Sequence, residues 1–139
     1  MTVVDANIIV YAITTSERTE EARTLLSSCG EIAVPILWRS ECLSALVVLA
    51  RTGRLERRSA LSAFAAARQA FQSSEREVDY SLAFELALEH GISAYDAQYV
   101  ALAAKLRAKL VTNDRGLASR CPEIAVLLDE ETTDKGETR

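Results

Sequence analysis

Four carboxylates lie where an acidic metal site in this chain would need them. Asp5 ends the apolar run Thr2-Val3-Val4, and Asp114 follows Leu110-Val111-Thr112-Asn113. Asp96 opens a helical segment after Ser93-Ala94-Tyr95, and Glu41 interrupts the apolar face of another. If the two apolar runs are neighbouring parallel strands, Asp5 and Asp114 emerge side by side. Acids clustered without bases repel one another unless a cation occupies the cluster. The chemistry this suits is divalent-metal catalysis on a phosphate substrate.

Each aspartate also has a structural reading. Asp5 and Asp114 are both placed to cap a following helix, and Ser93 to Asp96 has the S-x-x-D form of a capping box. Glu41 is harder to explain away. Its helical neighbours Leu37, Trp38, Ser44 and Ala45 include no base. It shares a stripe with Leu37, Trp38, Ala45 and Val48 that reads as a core face. A carboxylate there needs a partner, or a rim position that reaches water. Asn7, Ser93, Thr112 and Asn113 add neutral oxygens and amides nearby. Magnesium takes oxygen ligands, keeps waters and needs only one or two direct carboxylates. Four acids therefore suffice for one ion, or for two about 4 Å apart once a phosphate contributes.

The elements that must position these groups alternate along the chain. A strand over 3–5 feeds a helix over 7–14, and a second helix runs from Ser16 to Ser28 with acids in its first turn. A short buried strand spans 32–34. Pro35 suits the first turn of a third helix, which reaches Arg51 and stops at Gly53. An alanine-rich helix covers 56–72, and 77–79 is assigned to a short edge strand. Helices over 81–90 and 93–107, a strand over 110–112, a helical turn over 115–119 and a strand over 124–128 complete the domain. The polar segment 129–139 is expected to be a disordered tail. Strands separated by helices predict an α/β fold with a parallel sheet covered on both faces. Ligands in such sheets bind beyond the carboxyl ends of the strands, where the winding reverses.

The 139 residues suit one domain, and 49% hydrophobic content suits a real core. No stretch approaches 18 uninterrupted apolar residues, and nothing at the start resembles a secretion signal. Cys29, Cys42 and Cys121 are far apart, and His90 is the single histidine, which argues against zinc and for thiols in a reducing cytoplasm. Net charge is −4, but residues 129–139 hold five acids and two bases, so residues 1–128 total −1. Setting the four site acids aside leaves 14 bases against 11 acids there, with Arg51, Arg54, Arg57 and Arg58 clustered. That balance is compatible with a phosphate-bearing partner.

Four segments, in order, resemble the PIN domain, and in particular VapC-type toxins of toxin–antitoxin modules. They are Val3-Val4-Asp5-Ala6-Asn7-Ile8-Ile9-Val10-Tyr11-Ala12, Pro35 to Leu46 with Glu41, Ser93 to Ala103 with Asp96, and Leu110 to Asp114. The resemblance spans residues 1–128. It implies a five-stranded sheet of order 3-2-1-4-5 and a ribonuclease dependent on Mg2+ or Mn2+. The family's acidic positions fall on Asp5, Glu41, Asp96 and Asp114, and its neighbouring polar positions on Asn7 and Thr112. A cognate antitoxin and a homodimer are implied as well.

The expected activity is therefore endoribonucleolytic hydrolysis leaving a 5′-phosphate and a 3′-hydroxyl. Asp5, Asp96 and Asp114 are the expected ligands, with Glu41 binding the ion or orienting its waters, Asn7 and Thr112 fixing the ligands, and Arg115 a candidate contact to RNA. His90 alone cannot furnish a histidine-pair mechanism. Rival readings are a ribonuclease of RNA maturation and a catalytically silent interaction module of the same fold. A haloacid-dehalogenase phosphatase would need an aspartate where Asn7 stands, and a receiver domain would need adjacent acids before its first helix.

Overall fold

The computed structural model describes residues 1–131. Five parallel strands form one sheet in the order β3-β2-β1-β4-β5. They are β1 (Thr2–Val4), β2 (Ile32–Pro35), β3 (Glu75–Arg76), β4 (Lys109–Thr112) and β5 (Ala125–Leu127). Between them run α1 (Ala6–Ile13), α2 (Thr19–Ser28), α3 (Trp38–Arg51), α4 (Arg57–Phe71), α5 (Tyr80–His90), α6 (Ala94–Leu106) and α7 (Arg115–Arg120). The α/β class, the strand order and the helices on both faces are as the sequence and its resemblance imply.

The alternation of side chains along each strand explains the two layers. Val4, Val34 and Val111 point to one face, where they pack with Ile8, Leu25 and Trp38 from α1, α2 and α3. Val3, Ala33 and Leu110 point to the other, against Tyr99, Val100 and Ala103 of α6. Every central strand is thus apolar on both sides, as a covered parallel sheet requires. Helix α5 stacks outside α6 through Ala83, Ala97 and Ala101, where small side chains let the two helices approach closely.

Two expectations need correction. Pro35 does not open α3. It is the last residue of β2 and pairs with Arg76 of β3. Its missing N–H is tolerated at a strand end, and α3 begins at Trp38. The edge strand is Glu75–Arg76, not 77–79. Glu75 is drawn there by the Trp38 indole, which donates to Oε2 at 3.1 Å, and by Arg39, which donates to both carboxylate oxygens at 2.7 and 2.6 Å. The expected domain boundary at 128 falls inside a helical turn over 128–131. Asp129 of that turn pairs with Arg115 at 3.5 Å, and Glu131 with Lys109 at 3.2 Å. The remainder of the expected tail, 132–139, lies outside the described residues.

Candidate active site

Asp5 leaves β1 and Asp114 follows β4, and these strands are hydrogen-bonded neighbours. The two acids therefore emerge together at the carboxyl end of the sheet, at the reversal of strand order where such folds form a crevice. Glu41 enters from the first turn of α3 and Asp96 from the first turn of α6. All four carboxylates line one cleft of about 370 Å³, with Asn7, Val10, Tyr11 and Ala45 among its other walls.

The capping readings of Asp5 and Asp114 hold alongside this convergence. Asp5 Oδ1 accepts from the Ala6 N–H at 2.7 Å, and Asp114 Oδ1 accepts from the Leu117 N–H at 3.1 Å. Ser93 Oγ accepts from the Asp96 N–H at 3.0 Å. A cap uses one oxygen of a carboxylate and fixes where the other points. Capping and lining the cleft are compatible roles here.

Thr112 is the hub. Its hydroxyl is fully buried. It donates to Asp5 Oδ2 at 2.8 Å and accepts from the Asp114 N–H at 3.0 Å. Asn7 Nδ2 approaches the same oxygen at 3.5 Å, while Asn7 Oδ1 accepts from the Asn113 N–H at 3.3 Å. One polar network thus holds the end of β1 against the loop after β4.

The electrostatics are those of an acid cluster without a neighbouring base. None of the four carboxylates has an ion-pair partner among the described residues. Burial pushes the Asp5 carboxyl up to about 7, with Glu41 and Asp96 adding repulsion and the Thr112 bond opposing it. Glu41 is also raised, by burial and then by Asp96; Asp96 is raised by burial and then by Asp114. Each group disfavours charge on the next.

Two further residues belong to the site that the sequence reading did not single out. Tyr99 lies one turn after Asp96 on α6, fully buried. It is close enough to Glu41 for each to perturb the other, yet neither Glu41 Oε1 nor Tyr99 Oη meets hydrogen-bond geometry with any partner. The signal was the three-residue spacing from Asp96, which puts both on one helix face. Tyr11 lines the cleft and accepts from Asn113 Nδ2 at 2.9 Å. Glu41 itself is not on a core stripe. The core face of α3 is Trp38, Cys42 and Leu46, whereas Glu41 and Ala45 border the cleft and Val48 is 52% exposed. Arg115 is exposed and turned to Asp129.

The donors fit a hard divalent ion. They are all oxygens, and Glu41 Oε1 is buried without a hydrogen-bond partner among the described residues. Among the described residues no three acid, histidine or cysteine groups close into a ready-made cage. Magnesium needs none, since it binds through one or two carboxylates and retains waters.

Comparison with known proteins places the fold. Ribonuclease VapC3 of Pyrobaculum aerophilum is 37% identical over 126 residues, covering 88% of this chain and 95% of that protein. The structure of PAE2754 from the same organism superposes with a TM-score of 0.76 at 22% identity, over 96% of this chain and 87% of that one. A toxin–antitoxin complex from Klebsiella pneumoniae shares the fold with a TM-score of 0.66 at 17% identity, over 92% and 98%. The family described as PIN domain matches residues 2–121, and with that match over most of its length the chain belongs to the PIN domain family.

Proposed function

We propose that this chain is an endoribonuclease dependent on magnesium or manganese, acting as the toxin of a toxin–antitoxin pair. The observation that carries the reading is the convergence of Asp5, Glu41, Asp96 and Asp114, from four separate elements, in one cleft without a base. The 37% identity to a ribonuclease supports the RNA substrate. Asp5, Asp96 and Asp114 would hold the ion, with Glu41 binding it or orienting its waters. When bound, the ion supplies an acidified water and a Lewis acid for the scissile phosphate. Thr112 and Asn7 keep Asp5 and the Asp114 loop in register, which limits the reorganisation needed on binding. Arg115 would have to leave Asp129 to reach RNA.

A cognate antitoxin that covers the cleft, a homodimeric assembly and a cytoplasmic setting complete the proposal. Among the described residues, no helix is long and apolar enough to cross a membrane. The test is cleavage of RNA by the purified protein. Chelator is expected to abolish it and magnesium or manganese to restore it, with 5′-phosphate and 3′-hydroxyl ends and no cleavage by Asp5→Asn. Full activity in excess chelator, or 2′,3′-cyclic ends, sinks the metal-hydrolysis reading. Growth arrest on expression, absent for Asp5→Asn, separates a toxin from an enzyme of RNA maturation.

A further inference from the structure

We infer that the acid cleft is one end of a longer groove, and that its other end binds the RNA backbone, with Arg54 receiving a phosphate beside the one being cleaved. This rests on the ribonuclease reading above. A second depression of about 650 Å³ has Thr14, Thr15, Val48, Arg54 and Leu55 in its walls. Val10, Tyr11 and Ala45 line both spaces, so the two adjoin at these side chains.

The chemistry changes along the groove. Its first end carries four carboxylates, whereas the lining of the second includes no acid and contains one guanidinium. The ion pairs among the described residues engage Arg18, Arg39, Arg76, Lys105, Lys109 and Arg115. Arg51, Arg54, Arg57 and Arg58 take part in none of them, and all four are exposed. With Glu56 as the one acid among them, these four arginines leave the joint of α3 and α4 a net positive local field.

The joint is built to hold Arg54 at the groove. Gly53 takes a φ of 75°, which ends α3 and turns the chain back. The Arg54 and Leu55 N–H groups then both donate to Leu49 O, at 2.9 and 3.2 Å. Leu49 itself lines the depression. A guanidinium offers paired donors that match phosphate oxygens. Val10, Ala45, Val48 and Leu55 give an apolar floor for sugar and base faces, and Tyr11 at the junction offers an aromatic surface. A strand whose scissile phosphate sits at the acids would need this kind of cationic support for the phosphates that follow.

The test compares the unsubstituted protein with Arg54→Gln, Arg54→Lys and the charge-matched control Arg107→Gln. Arg107 precedes β4, at the opposite end of the sheet. The substrate is a single-stranded RNA of about 12 nucleotides around the cleaved bond, run beside a version trimmed close to that bond. Arg54→Gln is expected to raise KM for the long RNA about 10-fold at unchanged kcat. Its salt dependence should flatten by about 0.7 in log–log slope. Arg54→Lys should keep the slope and recover part of the KM, and Arg107→Gln should move neither. On the trimmed RNA the variants should converge with the unsubstituted protein. Absence of any cleavage by the unsubstituted protein overturns the ribonuclease reading and this one together. Cleavage with KM and slope unmoved in both Arg54 variants overturns this inference alone and leaves the depression to a peptide partner.

Discussion

Thr112 Oγ1 donates to Asp5 Oδ2 at 2.8 Å across 107 positions of sequence, and the same oxygen accepts the backbone N–H of Asp114. A single hydroxyl therefore ties together the two acids that follow adjacent strands. Thr112→Val keeps the shape and removes both bonds. Left buried and unsatisfied, the Asp5 oxygen should cost about 1–3 kcal/mol of stability, read by chemical denaturation. RNA cleavage should fall with it. Thr112→Ser, which keeps the hydroxyl, should recover most of both. A Val variant as stable and active as the parent would show that the hydroxyl holds nothing.

The protonation of Asp5 predicts how stability depends on pH without metal. Its folded value of about 7 stands above the ordinary 3.8. As pH rises from 4 to 7 the unfolded chain gives up this proton first. The stabilisation is fully present below about pH 4 and is lost as pH rises through 7. Thermal midpoints of the metal-free protein should therefore decline across that window, and Asp5→Asn should flatten the decline. Because the ion competes with the proton, the midpoint gain from magnesium should grow over the same range. A midpoint that climbs from pH 4 to 7 contradicts this account.

Repulsion within the cluster separates a metal role from a capping role. Asp96→Asn and Asp114→Asn should abolish cleavage and leave metal-free stability equal or higher. Asparagine can still accept the bond that Asp114 Oδ1 takes from the Leu117 N–H, so the cap survives the change. Magnesium should raise the parent midpoint more than that of either variant. An unchanged magnesium shift in one variant, with cleavage retained, would return that aspartate to capping alone.

Glu41 Oε1 and Tyr99 Oη are buried neighbours, and neither makes a well-formed hydrogen bond among the described residues. Removing an unsatisfied hydroxyl costs little, so Tyr99→Phe should leave metal-free stability equal or higher. Glu41→Gln should also not destabilise, because it removes a carboxylate raised by burial and by Asp96. Cleavage should drop sharply in Glu41→Gln and far less in Tyr99→Phe. A drop in stability of more than about 1 kcal/mol in Tyr99→Phe would mean that the hydroxyl has a partner in solution.

Much of this protein is decided locally. The alternation of Val3 with Val4 and of Leu110 with Val111 is enough to mark strands covered on both sides, because successive side chains point to opposite faces. Gly53 ends its helix as the sequence suggests, at positive φ. The acids themselves were legible, since Asp5 and Asp114 close strand-like runs and Asp96 opens a helix. Tertiary structure decided the rest. Glu75–Arg76 is the edge strand because Trp38 and Arg39, 37 and 36 positions away, hold the Glu75 carboxylate. Glu41 borders a cleft because the face of α3 turned to the sheet is Trp38, Cys42 and Leu46, a choice that periodicity alone leaves open. Local pattern names the residues able to do chemistry. Pairing of β1 with β4 brings Asp5 and Asp114 to one crevice, and the packing of α3 and α6 adds Glu41 and Asp96. Burial of Asp5, Glu41 and Asp96 and the closeness of the four acids make charge there costly, and their proposed role follows from that.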